Sequence, residues 1–128
     1  ANAIAPRSIF DDAAYLPACL LALVRKSSAE CGADSLGTET WLNSCPRWLR
    51  LFPSEWMENM SPENKDVLWH LGFWGQFINA RGTFNERLGR MLRETGEFPF
   101  YPRYSWCSYA ALREHLLRFG VENQLSRQ

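Results

Sequence analysis

"SPENKDVLWHLGFWGQFINARG" (residues 61–82) is the stretch that decides the fold predicted from this sequence. Ser61 is a good helix-capping residue, Pro62 suits the first helical position, and Glu63 suits the positive N-terminal end of a helix. Gly82 is typical of the residue that follows a helix. The sequence therefore predicts a helix from about residue 62 to residue 80.

Apolar side chains would cover two sides of this helix. One stripe consists of Val67, Leu71, Trp74 and Ile78, and a second stripe, spaced four residues apart, consists of Trp69, Phe73 and Phe77. A helix that is apolar on both sides lies at the centre of a bundle or faces a second chain. We therefore assign Trp69, Phe73, Trp74 and Phe77 to a core or dimer helix, and we expect a homodimer.

Four other segments have helical spacing or helix-end signals. They cover residues 12–30 before Gly32, a short stretch from about Thr38 to Pro46, residues 83–95 with a Thr83–Glu86 capping box and Gly96 at the end, and residues 108–120 with Ser108 as the cap and Gly120 at the end. No segment alternates convincingly as a strand.

The length and these segments define the expected architecture. A chain of 128 residues has room for one domain with a proper core. We expect an all-α fold, a single-domain bundle of four to five short helices around the central apolar helix. The domain would span residues 1–128, with residues 1–10 as a flexible N-terminal segment.

Charge and cysteine spacing limit the class of protein. The formal net charge is zero, which is unusual for a general nucleic-acid binder. The cysteines at positions 19, 31, 45 and 107 lack metal-site spacing, which favours reduced thiols in a cytoplasmic protein over a metal centre. Two disulfides remain the alternative for an exported protein. The longest apolar run, residues 15–24, is too short to span a membrane, so we expect no membrane partner.

The stretch "EFPFYPRYSWC" (residues 97–107) is rich in aromatic residues, and its two prolines disfavour a helix. In one interpretation it is a loop that crosses the core and buries Phe98 and Phe100. In the other it presents interface anchors, and the two can hold together. The candidate partner-binding residues are Tyr101, Arg103, Tyr104 and Trp106, with Arg87 and Arg90 from an arginine-rich face.

Catalytic patterns are weak. Cys107 and His115 would lie about 12 Å apart along a helix, too far for a nucleophile and its base. His70 is expected to be a hydrogen-bonded, partly buried residue. No glycine-rich phosphate loop or hydrolase motif occurs. We therefore predict no enzyme, no cofactor and no metal site.

The resulting hypothesis is a non-enzymatic, protein-binding regulator or inhibitor, bacterial and homodimeric. One alternative is a DNA-binding regulator that uses the 108–120 helix and the arginine-rich face, since Arg113 and Arg118 loosely resemble the positions of a recognition helix. Another alternative is a small enzyme that uses Cys107 or His70. The sequence does not identify the partner.

Overall fold

The computed structural model describes residues 8–126, and the side chains of residues 8–119. Its elements are, in chain order, α1 (Tyr15–Cys31), β1 (Ser35–Thr40), a short 3-10 helix (Trp41–Ser44), α2 (Pro46–Leu49), α3 (Ser54–Glu58), a second 3-10 helix (Leu71–Phe77), α4 (Glu86–Thr95), β2 (Arg103–Ser108) and α5 (Tyr109–Ser126). The protein is helix-rich but mixed, because β1 and β2 form an antiparallel sheet. The prediction of an all-α bundle is therefore wrong. Most of the predicted flexible segment, residues 1–7, lies outside the described residues.

The predicted central helix over residues 62–80 does not form. Residues 61–70 are irregular apart from a turn at residues 68–69, and within the predicted helix only Leu71–Phe77 is helical, as a 3-10 helix. Ser61 does not cap a helix: its N–H donates to the carbonyl of Tyr104 and its Oγ accepts from the N–H of Tyr104, each at 2.8 Å. Asn64 N–H donates in the same way to the carbonyl of Pro102. The segment therefore satisfies the backbone of β2, and this tertiary pairing outweighs the local helix signals.

The sheet was not predicted because the apolar pattern of its strands is incomplete. In the antiparallel register, Leu36 lies opposite Cys107 and Thr38 lies opposite Ser105. Ser105 and Cys107 are completely buried, while Tyr104 and Trp106 point to the outer face. The short helix expected from about Thr38 is thus wrong over residues 38–40, which belong to β1.

The main core lies between α1, α5 and the inner face of the sheet, with α2 and α3 closing one side. Its buried members are Leu20, Val24, Leu51, Phe52, Trp56, Cys107, Leu112 and Leu116. The Trp56 ring stacks on the Phe52 ring at a centroid distance of 4.0 Å. Burial of these side chains supplies the main favourable term in folding.

Asn43, in the first 3-10 helix, connects the sheet to the helices. It is completely buried, and its Nδ2 donates to the carbonyls of Thr38 at 3.1 Å and Arg103 at 2.7 Å. Its Oδ1 accepts from the indole N–H groups of Trp48 at 3.1 Å and Trp56 at 3.2 Å. An amide side chain has two donors and two acceptor lone pairs, so Asn43 uses its full capacity.

Several helix ends follow the local signals. Gly32 and Gly96 adopt the left-handed conformation after α1 and α4, as predicted. The Oγ of Ser108 accepts from the Ala111 N–H at 3.2 Å, which confirms the predicted cap of α5. Two predictions are wrong: α4 is capped by Asn85 rather than by a Thr83–Glu86 box, and α5 continues through Gly120 to Ser126.

Candidate functional site

Three large apolar side chains project into solvent from one turn of the chain. Leu68 is 71% exposed, Trp69 is 87% exposed and Leu71 is 86% exposed. We refer to residues 68–71 as the apolar turn. Single exposed apolar residues are ordinary on protein surfaces, whereas a group of neighbouring ones is a candidate interaction site.

The apolar turn is anchored at both of its ends. Val67 and Phe73 are each 3% exposed, so the residues that flank the turn lie in the protein interior. The N–H of His70 donates to the carbonyl of Val67 at 3.1 Å, and the N–H of Phe73 donates to the carbonyl of His70 at 3.0 Å. The exposed side chains are therefore presented by a hydrogen-bonded turn with fixed ends.

An aromatic cluster forms around Phe73, next to the apolar turn. The Phe73 ring contacts Phe98 edge-on at a centroid distance of 4.8 Å and stacks on Tyr101 at 6.4 Å. Trp74 also meets Phe98 edge-on, at 5.3 Å. Such pairs contribute about 0.5–1.5 kcal/mol beyond the area that they bury. The cluster therefore fixes the position from which the turn projects.

Gln76 joins this cluster to the aromatic stretch. It is 2% exposed, and its Nε2 donates to the carbonyls of Phe73 at 3.1 Å and Phe100 at 3.0 Å. Its Oε1 accepts from the Phe100 N–H at 3.1 Å. One side chain thus satisfies both backbone groups of Phe100, so the stretch is held against the 3-10 helix that follows the turn.

A cleft of about 260 Å³ lies between the apolar turn and the end of the sheet. Glu39 borders it, and Glu39 Oε1 accepts from Asn64 Nδ2 at 3.0 Å. The lining residues are Glu39, Thr40, Trp41, His70, Leu71, Gly72, Phe73 and Pro102. Glu39 and the apolar residue Leu71 therefore line the same cleft.

The residues assigned to a core or dimer helix divide into two groups. Phe73 and Phe77 are buried, whereas Trp74 is 39% exposed and Trp69 is almost fully exposed. Because the segment is not an α-helix, the two stripes expected from helical spacing do not exist. Leu68 was not among the candidates, and Leu71 was placed in one of the two apolar stripes of the core or dimer helix. Their exposure depends on tertiary structure, and no local signal in the sequence indicates it.

The candidate partner-binding residues of the aromatic stretch also divide. Tyr101 is half-buried against Phe73, and its hydroxyl donates to Glu97, which, together with burial, raises the pKa of Tyr101. Arg103 is half-buried, and its Nε donates to the carbonyl of Ser61 at 2.8 Å. Only Tyr104 and Trp106, at 44% and 43% exposed, present large aromatic surface to solvent.

The arginine-rich face lies on α4, where Arg87 and Arg90 are exposed. Arg93 on the same helix lies 3.8 Å from Glu86. Helix α5, considered for DNA reading, directly follows β2 instead of following another helix and a short turn. Its Arg118 lies 3.9 Å from Glu114.

The side chains considered for catalysis, Cys107, His115 and His70, lie in three different environments. Burial, and secondarily the nearby Glu55 carboxylate, raises the pKa of Cys107 to about 12. A thiol with such a pKa is protonated at neutral pH, and the thiolate is the reactive form. The ring Nε2 of His115 lies 2.8 Å from the carbonyl of Arg50. His70 is exposed on the apolar turn, so its expected partial burial is wrong.

We predict that the four cysteines are all free thiols but react at very different rates. In the structure none is paired; Cys19 and Cys31 are exposed and Cys107 is buried. A maleimide at pH 8 should label Cys19 and Cys31 within minutes and Cys107 only after unfolding, as peptide mapping by mass spectrometry would show. Rapid labelling of Cys107 in the native protein would contradict its burial.

The raised pKa of Cys107 also gives a pH dependence with a definite sign. The unfolded chain ionises this thiol at a lower pH than the folded chain does. The free energy of unfolding should therefore fall as the pH rises from about 9 towards about 12, and Cys107→Ala should flatten that dependence.

Within residues 8–126, no helix combines the length and the apolar character that crossing a membrane would take. The same described part of the chain contains no group of three or more His, Cys, Asp or Glu side chains placed to hold a metal ion. Comparisons with protein-family models, with curated proteins and with solved structures found no match for this chain.

Proposed function

We propose that this chain is a non-enzymatic module that binds another protein and acts as a regulator or inhibitor. The observation that carries the proposal is the exposure of Leu68, Trp69 and Leu71 on one anchored turn. Tryptophan is among the residues that most often dominate binding energy at protein interfaces. The turn would insert into an apolar pocket of the partner, and the partner's polar rim would meet the Glu39 side of the cleft.

Charge favours a protein over a lipid surface as the occupant of the apolar turn. Segments that insert into anionic membranes carry lysine or arginine around their apolar residues. Here no lysine or arginine occurs between Lys65 and Arg81, and Asp66 precedes the turn. The ammonium group of Lys65 lies over the ring of Tyr101, at 5.4 Å from its centroid.

The homodimer and the cytoplasmic location also remain proposals. The predicted basis for the dimer, a helix with two apolar sides, is absent, and the apolar turn is the surface that we propose for a second copy. The four free cysteines, two of them exposed, support a reducing compartment. For the DNA-binding alternative, affinity should decrease steeply with salt, whereas an apolar anchor should tolerate salt.

We predict that replacing Leu68, Trp69 and Leu71 together by serine abolishes partner binding without unfolding the protein. Exposed positions usually change stability by no more than about 0.5 kcal/mol each. The measurement is affinity capture from extracts of the native host, with quantitative mass spectrometry, followed by titration of the identified partner against both proteins. Binding should weaken by at least about a hundredfold, since interface anchors cost about 2 kcal/mol or more each.

A matched control replaces exposed leucines elsewhere, Leu23 on α1 and Leu117 on α5, which are 46% and 54% exposed. This variant should bind the partner as the parent chain does. Equal capture by the triple-serine variant would disprove the role of the apolar turn. Loss of binding in both variants would indicate nonspecific adhesion, which would also contradict the proposal.

A further inference from the structure

The two edges of the sheet differ in whether their outward backbone groups are hydrogen-bonded. On the β2 side, the segment that follows α3 pairs with the strand: Ser61 bonds both backbone groups of Tyr104, Asn64 bonds Pro102, and Asn59 Nδ2 donates to the Trp106 carbonyl at 3.0 Å. The backbone groups of β2 that point away from β1 are thus largely satisfied.

The β1 edge is open. Because both backbone groups of Tyr104 point away from β1, its cross-strand neighbour Glu39 must direct its own N–H and carbonyl away from β2. Alternation along the strand places the backbone groups of Gly37 and Ser35 in the same direction. All three residues are exposed, and no hydrogen bond within the described part of the chain reaches these groups.

Sheet edges in soluble proteins are ordinarily protected by proline, lysine, a bulge or a covering segment. Strand β1 reads SLGTET, and its six residues pair with β2 without a bulge. Its one charged side chain, Glu39, is acidic rather than basic and remains exposed, with Oε1 accepting a hydrogen bond from Asn64 Nδ2. An unprotected edge beside a chain that covers the other edge fits strand addition by a partner.

Charge indicates the chemistry of the incoming strand. Between Lys26 and Arg47 the sequence contains the carboxylates Glu30, Asp34 and Glu39 and no lysine or arginine. Asp34 and Glu39 are exposed near the two ends of β1. A second copy pairing through β1 would bring further carboxylates to the same edge, and like charges across strands destabilise pairing. A basic segment of a different protein would be attracted.

The hydroxyl end of the Tyr104 ring lies over the middle of this edge. A Cβ built on Gly37 would lie only 2.7 Å from the Tyr104 hydroxyl, so the ring extends from β2 across Gly37. Glycine in a strand interior often marks such a close approach. An apolar side chain of the incoming strand, opposite Gly37, would meet this ring.

We infer that the β1 edge binds an extended, basic peptide segment of another protein, with lysine or arginine flanking a central apolar residue. The β1 edge meets the cleft beside the apolar turn at Glu39, but the peptide would use backbone groups of β1 and not the side chains of the turn. Each site is therefore tested by its own variants. If both hold, the partner is anchored by an apolar pocket and by an added strand.

The test uses the full chain and a blocked synthetic peptide with valine at the centre, lysine two positions to either side and threonine elsewhere. Amide hydrogen exchange followed by NMR should show at least tenfold slower exchange at Gly37 and Glu39 when the peptide is added. The amide of Thr38, which faces β2, should change little. Glu39→Gln keeps the acceptor for Asn64 and should weaken binding of the peptide severalfold by removing one charge.

Two control peptides isolate the backbone and the charge. N-methylation of the amides that face β1 should abolish the protection, and replacing the lysines by glutamates should reduce it strongly. Ser35→Pro, which removes one outward N–H, should also weaken binding, while the triple-serine variant of the apolar turn should bind the peptide normally. No protection at Gly37 and Glu39, or equal protection by the N-methylated peptide, would overturn the inference. So would protection that depends on protein concentration without peptide, since that would show a second copy at the edge.

Discussion

Replacing Asn43 by leucine is expected to lower the free energy of unfolding by about 3–5 kcal/mol. Leucine has a similar volume, so the main loss is polar rather than a cavity. The buried indole N–H of Trp56, the indole N–H of Trp48 and the carbonyl of Arg103 would all lose a partner. Each buried polar group left without a hydrogen bond costs about 1–3 kcal/mol. Urea unfolding followed by circular dichroism measures the effect.

A matched variant at a less connected asparagine separates this network from the general cost of removing an amide. Asn59 is half-buried and donates one hydrogen bond, to the carbonyl of Trp106. Asn59→Leu should cost about 1 kcal/mol, the usual contribution of a single hydrogen bond. Similar losses for Asn43→Leu and Asn59→Leu would show that the four bonds of Asn43 do not act as a joint between sheet and helices.

The helix ends and caps that depend only on neighbouring residues could be predicted from the sequence. The end of α1 at Gly32 and the end of α4 at Gly96 depend on a left-handed residue that glycine adopts at low cost. The cap of α5 by Ser108 depends on residues three positions apart. These features need no distant partner, so the sequence pattern was enough to identify them.

The prediction of a helix over residues 62–80 was wrong because the hydrogen-bond partners of this segment are distant in sequence. Ser61 and Asn64 bond the backbone of residues 102–104, which no local pattern reveals. Gly72 and Gly75 did signal the conflict, since each lowers helix propensity by about 1 kcal/mol relative to alanine. The two glycines therefore carried more information than the apolar spacing around them.

The strands were missed for a different reason. The inner face of a strand is normally recognised by apolar residues at alternate positions. Here Thr38 and Ser105 occupy inner positions, and Ser105 is completely buried because its hydroxyl donates to the carbonyl of Trp56. A buried hydroxyl with a specific distant acceptor looks like a surface residue in the sequence.

The residues of the candidate site were anticipated only in part. Tyr104 and Trp106 were named as partner-binding candidates and Trp69 as a core or dimer residue, and all three are exposed, whereas Tyr101 and Arg103 make contacts within the chain. The open edge at Gly37 carries no side-chain signal at all, because strand addition uses backbone groups. It could be recognised only once the strand partners were known.

Trp69→Ala and Phe73→Ala should behave as opposites although they lie four residues apart. Phe73 is 3% exposed and its ring contacts Trp74, Phe98 and Tyr101, so truncation should cost about 3–5 kcal/mol of stability. Trp69 is 87% exposed, so its truncation should stay within about 0.5 kcal/mol of neutral. A helix with both residues on one apolar stripe would instead make the two losses similar, and that result in urea unfolding would refute the apolar turn. Phe73→Leu retains most of the buried volume and should cost under about 1.5 kcal/mol, which distinguishes lost packing from general damage to the segment.

Trp69→Ala should nevertheless weaken partner binding by at least about thirtyfold, since an anchor contributes about 2 kcal/mol or more. A side chain that contributes to binding but not to stability is the property expected of a residue held in solvent for a partner.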